Sequence, residues 1–281
     1  MTEPHGSLRA LAEAALEEDA PTGDLTATLV VPETSRCRAE VRVKAPGVLA
    51  GTRMAQTVFE VVAEQDGLGS LDVEWRSVDG STVGPGDLVA TVSGPARSVL
   101  RAERVAINFL GHLSGVATLT RAFVQAARPA EVLCTRKTTP GLRALEREAV
   151  LAGGGSLHRA SLSDAVLIKD NHLRMAGGVG PAVLSAKEGR VAVEVEVESL
   201  HELDQAVAAG ADRILLDNPT PDLVREAIRR VGDPMRLEVS GGITLESVQS
   251  LVTAGARVIS VGRITHSTPS LDISLEVVDA R

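Results

Sequence analysis

From Ala130 onward the chain repeats one pattern, a short apolar run ending in polar residues followed by an amphipathic segment of about ten to fifteen residues. The runs are Val132–Cys134, Ala165–Ile168, Val191–Val197, Arg213–Leu216, Leu237–Val239 and Val258–Val261. Parallel strands cannot be joined by a tight turn and need crossovers of about a dozen residues or more, so these units in succession predict a parallel sheet with helices against it. Helix punctuation agrees. Ser199 with Glu202 forms a capping-box pattern, Thr220-Pro221 supplies an N-cap followed by proline at the first helical position, and Gly210, Gly232 and Gly255 sit where C-caps belong.

An open doubly wound sheet and a closed barrel both accommodate such units. The strand ends favour the barrel. Polar groups follow nearly every run: Arg136 and Lys137, Lys169 to His172, Glu196 and Glu198, Asp217 and Asn218, Ser240 to Gly242, then Gly262 and Arg263. In a barrel these ends converge on one mouth, where such folds carry chemistry. The expected architecture is an α/β barrel, with room for fewer than eight strands.

The first part of the chain has a different texture. Residues 8–18 have helical periodicity and are closed by Pro21, Gly23 and Asp24, while Cys37–Ala50 and Leu88–Val92 alternate as strands, with a sharp turn at Gly84–Asp87. A long apolar helical stretch from Ala102 to Ala127, interrupted at Gly111 and Gly115, is the candidate domain boundary.

Composition narrows the function classes. With 37 acidic against 29 basic residues the net charge is −8, which argues against a nucleic-acid partner. One Trp, three Phe and no Tyr leave no platform for stacking bases. Cys37 and Cys134 lack metal-ligand spacing and suit a reducing cytosol. No run approaches the roughly 18 apolar residues of a membrane span, and Glu3 and His5 stand where a targeting segment would carry basic residues, so a soluble, untargeted protein is expected.

Within Val191–Glu198, period-two geometry puts Glu194, Glu196 and Glu198 on one strand face and Val193, Val195 and Val197 on the other. Carboxylates facing a barrel interior need cations, for which Arg104, Arg136, Lys137, Arg159 and Lys169 are candidates; the alternative is a solvated face or a salt-bridge layer. Thr135–Gly141 places two cations after a strand, where guanidinium and ammonium can clamp carboxylate or phosphate oxygens. Ser240-Gly241-Gly242 and Gly262, each ahead of a helix, are turns whose N–H groups can face an anion. His158, His172 and His266 lack metal-binding spacing.

Taken together, Thr135–Gly141, Gly153-Gly154-Gly155 with His158-Arg159, Ile168–His172, Glu194–Val197, Leu215–Asn218, Glu238–Gly242 and Val261–Ser267 resemble the active-site core of the quinolinate phosphoribosyltransferase family. The similarity starts near Gly23–Thr26 and covers nearly the whole chain. It implies an N-terminal open-faced α+β sandwich over residues 1–110, an incomplete (β/α) barrel over 111–268, and a 269–281 segment returning to the first domain. It further implies a homodimer with Arg104 acting across the interface. Arg104, Arg136, His158 and Arg159 would hold the carboxylates of quinolinate, with Lys137 and Lys169 near the reacting ends. Glu196 and Asp217 would face the ribose of phosphoribosyl pyrophosphate and a Mg2+ ion. Ser240, Gly241, Gly242, Gly262 and His266 would receive the 5-phosphate. The implied reaction gives nicotinate mononucleotide, pyrophosphate and CO2.

Departures from the family pattern fall at Cys134, Leu157, Ala160–Ser163 and Arg263. Cys134 and the Leu157–Ala160 run look more like molybdenum-associated relatives. They leave open a paralogue that ribosylates a different aromatic acid.

Overall fold

The computed structural model describes residues 5–281, so the N-terminal reading on Glu3 lies outside the described residues. The chain divides into two compact units, one running to Thr118 and completed by Thr268–Arg281, the other spanning Leu119–Ser267.

The first unit is built on an antiparallel sheet in the order Ile273–Ala280, Arg36–Val43, Leu88–Pro95, Asp72–Trp75. Alternation along Arg36–Val43 buries Cys37, Ala39, Val41 and Val43 and turns the charged residues between them outward. That one-sided pattern is what an antiparallel sheet with one wet face requires. Helices His5–Asp19 and Thr52–Asp66 bring apolar stripes to this core, with Leu8, Ala12 and Leu16 from the first and Val58, Phe59 and Val62 from the second. The C-terminal strand pairs with Arg36–Val43 from Cys37↔Ala280 to Val43↔Ile273, which occupies an edge that would otherwise be open.

The stretch expected to break at two glycines is one continuous helix, Ala96–Ala126, of 31 residues. Gly111 and Gly115 do not interrupt it. They let the returning chain pass close: a Cβ at Gly115 would lie 2.1 Å from the Pro269 carbonyl oxygen, and Leu271 donates its backbone N–H to the Gly111 carbonyl at 2.9 Å. No described helix is both long and apolar enough to cross a membrane.

The second unit contains the six expected strands, all parallel, in the order Glu131–Leu133, Val258–Ser260, Leu237–Ser240, Arg213–Asp217, Val193–Val197, Val166–Ile168. It is an incomplete barrel. Beside the Glu131–Leu133 edge runs the chain at Ser156, which accepts from Cys134 N–H and donates to the Val132 carbonyl. Val193, Val195 and Val197 are buried, as are Ile214, Leu216, Leu237, Val239 and Ile259. Several helix caps fall where the sequence puts them, although the Glu202 carboxylate takes the Glu198 N–H rather than closing a box on Ser199, and Ala209 and Ala254 cap the helices ahead of Gly210 and Gly255. Ser199 accepts from Glu202 N–H, Thr220 accepts from Leu223 N–H ahead of Pro221, and Gly232 closes that helix in the left-handed conformation.

Candidate active site

All six parallel strands deliver residues, at their carboxyl ends or just beyond, to one cleft of about 360 Å³. It is lined by Thr135, Arg136 and Lys137, by Leu167 and Lys169, by Glu196, by Leu215 and Asp217, by Glu238 and Ser240, and by Ser260, with His158 and Arg159 from the intervening loop. Eight of the thirteen sequence candidates therefore share one mouth. Arg104 lies in the other unit, its side chain 63% exposed.

The cleft has a cationic side. Arg136 and Arg159 both line it, and the buried Nε–H of each finds no acceptor among the described residues. Burial, and then the neighbouring Arg136 charge, hold the Arg159 guanidinium below its ordinary value. Two partly buried guanidiniums that repel one another are chemically suited to a carboxylate or phosphate group. Two arginines that the sequence reading missed fix the loops carrying them. Arg143 donates to Thr138 Oγ1 at 3.0 Å, to the Ala160 carbonyl at 3.2 Å and to the Arg136 carbonyl at 3.3 Å, and Arg147 donates to the His158 carbonyl at 2.7 Å. Both sit on the Arg143–Ala152 helix, and only the fold turns them toward two separated loops.

Opposite charge is supplied by Glu196 and Asp217. Glu196 is paired with Lys169, so the ammonium meets this carboxylate before any ligand arrives. Asp217 Oδ2 accepts from the Asn218 amide at 2.8 Å, and Asn218 adopts φ 48 while its N–H donates to the Ser240 carbonyl at 2.8 Å. A non-glycine residue at positive φ is uncommon, least so for asparagine, and here it seats the Ser240–Gly242 turn on the end of the neighbouring strand. Gly241 is at φ 90, and a Cβ there would lie 2.3 Å from Asn218 Oδ1 and 2.6 Å from Asp217 Oδ1. Gly241→Ala therefore displaces Asp217 and strains the turn; we expect a lower Tm, measured by thermal denaturation.

The second glycine turn meets the first strand end. A Cβ on Gly262 would lie 3.1 Å from His266 Nε2 and 3.4 Å from Lys137 Cδ, and Thr265 Oγ1 donates to the Lys137 carbonyl at 2.7 Å. His266 Nδ1 is engaged by Ser267 Oγ at 2.6 Å, which leaves Nε2 on the glycine side. His172 accepts the Lys169 N–H at 2.9 Å and so caps the helix Asp170–Ala176.

His158 lines the cleft with both ring nitrogens engaged: its Nδ1 accepts the Arg159 N–H at 2.9 Å and its Nε2 lies 3.0 Å from Glu194 Oε2. Nδ1 is thereby the acceptor, and the ring proton sits on Nε2. Glu238 is fully buried, with Oε2 3.6 Å from His158 Nε2 and 3.6 Å from an Arg213 nitrogen. Along the inward strand face Glu194 lies deep, Glu196 at the mouth and Glu198 is exposed, so the three carboxylates face three different environments.

Burial, and then the charge of Glu194, push Glu238 up to about 7. Between its unfolded value of about 4.3 and that folded value, the folded state holds a proton that the unfolded chain has released, so stability falls as pH rises through this window and is level above it. Glu238→Gln removes the titration. We expect the variant to gain on the order of 3 kcal/mol over wild type at pH 8 relative to pH 4, read as a closing Tm gap on acidification; parallel Tm curves would refute it.

Two family models match the chain, the quinolinate phosphoribosyl transferase N-terminal domain over residues 24–114 and its C-terminal domain over 116–276. The chain belongs to the quinolinate phosphoribosyltransferase family. It is 40% identical over 278 residues to the probable nicotinate-nucleotide pyrophosphorylase [carboxylating] of Bacillus subtilis (strain 168), covering 97% of this chain and 94% of the relative. The chloroplastic nicotinate-nucleotide pyrophosphorylase [carboxylating] of Arabidopsis thaliana is also 40% identical, over 98% of this chain and 84% of that one. Among solved structures, the nicotinate-nucleotide pyrophosphorylase of Francisella tularensis superposes with a TM-score of 0.90 at 36% identity, covering 98% of each chain.

None of the departures from the family pattern lines the cleft itself, although Leu157 lines an adjoining cavity with His158 and Arg159. Cys134 and Leu157 are not among the cleft's lining residues, nor are Ala160–Ser163 or Arg263. Cys134 is buried, and burial pushes its thiol up, away from reactive thiolate character. The 160–164 loop is ordered by Asp164, whose carboxylate accepts the N–H groups of Ala160 and Ser161 at 2.7 and 3.0 Å.

Proposed function

We propose that this chain transfers the phosphoribosyl group of phosphoribosyl pyrophosphate to quinolinate with loss of CO2, giving nicotinate mononucleotide for NAD biosynthesis. One observation carries the reading: Arg136 and Arg159 line the same cleft as Glu196 and Asp217, with their buried Nε–H groups unengaged. A dicarboxylate suits the first pair and a ribose that becomes cationic suits the second.

The chemistry follows from charge. The pyridine nitrogen forms a bond to ribose C1 as the bond from C1 to pyrophosphate breaks, and positive charge builds on the ribose in between. Glu196 and Asp217 stabilise that charge, the same service carboxylates give in glycoside cleavage. Lys137 and Lys169 lie at the rim to meet departing or carboxylate oxygens. Ribosylation leaves the ring nitrogen cationic. The bond from C2 to its carboxylate can then break, its electron pair staying on C2 beside the positive nitrogen until a proton replaces CO2.

The donor set also suits Mg2+, which is commonly held by one or two carboxylates together with substrate phosphates. Glu196 and Asp217 would be those carboxylates, and the ion would offset charge on the leaving pyrophosphate. Ser240, Gly241, Gly242, Gly262 and His266 would take the 5-phosphate. A homodimer in which the partner chain supplies Arg104 completes the acid pocket in this reading, and the exposure of Arg104 supports it. The free, buried Cys37 and Cys134 are compatible with a cytoplasmic enzyme.

The test is pyrophosphate release with phosphoribosyl pyrophosphate, Mg2+ and quinolinate, beside nicotinate and a panel of other aromatic acids, with products identified by mass. Nicotinate mononucleotide from quinolinate is expected. Turnover confined to another acid would replace the acceptor, and none with any acid would refute a transferase.

A further inference from the structure

We infer that Glu194 is a positioning residue for the acid end of the cleft: acting through the His158 ring, it fixes the backbone of Arg159 and hence the guanidinium offered to the substrate. The inference rests on the acid pocket of the proposed reaction and goes beyond it, because Glu194 is not among the residues lining the cleft described above.

The chain of contacts is short. Glu194 Oε2 holds His158 Nε2 at 3.0 Å, His158 Nδ1 accepts the Arg159 N–H at 2.9 Å, and the Arg159 side chain continues to the cleft, where its Nη1 also donates to the Ala165 carbonyl at 2.9 Å. The two ring contacts specify one tautomer. If the proton moved to Nδ1, it would point at the Arg159 N–H, and that anchor would be lost. Glu194 decides the matter, since the next acceptor for Nε2–H, Glu238 Oε2, stands at 3.6 Å, beyond hydrogen-bonding reach.

A purely structural role accounts poorly for a carboxylate here. Glu194 is 8% exposed, and its Oε1 has no hydrogen-bond partner among the described residues. A whole buried pair can often be exchanged for apolar side chains at little cost, whereas losing one partner strands the other, so what the site retains in Glu194 is an acceptor aimed at one ring nitrogen. The three groups His158, Glu194 and Glu238 also have ligand atoms within 4.8 Å of one another, the spacing of a metal site, so the test must separate the two uses. Arg213 already stands beside Glu238, and with the Nε2 proton in place the cluster has less need of a further cation.

The experiment compares wild type, Glu194→Leu and Glu194→Gln by calorimetric binding of quinolinate and by kinetics with each substrate varied. For Leu we expect a lower melting temperature, because the buried His158 Nε2–H loses its acceptor, together with a rise of at least tenfold in Kd and KM for quinolinate and a KM for phosphoribosyl pyrophosphate within twofold. Gln, whose amide oxygen still accepts from Nε2–H, should restore quinolinate binding to within about threefold. The inference is overturned if Leu leaves quinolinate binding unchanged, if both KM values rise together, if Gln is as impaired as Leu, or if purified wild type carries a stoichiometric transition metal. Wild type that binds quinolinate yet forms no nicotinate mononucleotide defeats the proposed reaction and leaves this inference to be judged on Kd; wild type that binds no quinolinate overturns both.

Discussion

Arg159→Ala and Arg136→Ala are each expected to raise KM for quinolinate by roughly 10- to 100-fold, since hydrogen bonds to a charged partner are worth about 1.5–3 kcal/mol. In the proposed reaction the two side chains hold one ligand, so the double variant should lose less than the sum of the single losses. Lysine at either position should rescue poorly, because a point charge cannot reproduce the planar fork of a guanidinium. Stability responds little: Arg159→Ala relieves repulsion with Arg136 but loses the donation to the Ala165 carbonyl, so Tm should stay near that of wild type while binding collapses. Steady-state kinetics with each substrate varied, beside thermal melts, checks the set; equal rises in both KM values would show that the arginines do not mark the acid end.

Glu196→Gln should lower kcat by about 10²- to 10³-fold, the usual scale for loss of one preorganised electrostatic group at a developing charge. Gln keeps the shape of the side chain, so the loss reports charge. The same change frees Lys169 from its ion pair, which leaves quinolinate binding equal or tighter. Single-turnover measurements with Mg2+ and both substrates separate the two effects. A kcat within threefold of wild type would remove Glu196 from the transition state.

The two ends of the cleft thus answer to different strand ends, and that arrangement follows from the parallel sheet. Each strand contributes one to three residues at or just beyond its carboxyl end, and the barrel curvature brings together positions as far apart in sequence as Arg136 and Ser260. The sequence pattern alone specified this much, because strand alternation and βα crossovers are local consequences of side-chain spacing. The period-two run at Val191–Glu198 separated the valines from the glutamates on that strand, but not how deep each glutamate lies: Glu194 is buried, Glu196 half-buried and Glu198 exposed. The Ser199, Thr220 and Gly232 caps were equally legible, each satisfying groups within a few residues of itself.

What the sequence did not disclose depends on contacts distant in the chain. Gly111 and Gly115 read as helix breaks because a helix interior normally disfavours glycine, yet the cost is accepted where the returning backbone at Pro269–Leu271 lies too close for a Cβ. Arg143 and Arg147 carried no motif, and their function lies in carbonyl groups of two loops that only tertiary folding places beside their helix. The family resemblance implies a substrate-holding role for His158, but not that its ring nitrogens are engaged within the fold: Nε2 meets Glu194, on a separate strand, inside a barrel where an unpaired imidazole N–H would be costly. Local spacing thus determined the elements and the polarity of their ends, while the partners of each buried polar group were decided by the fold, since desolvation forces pairings that no local pattern specifies.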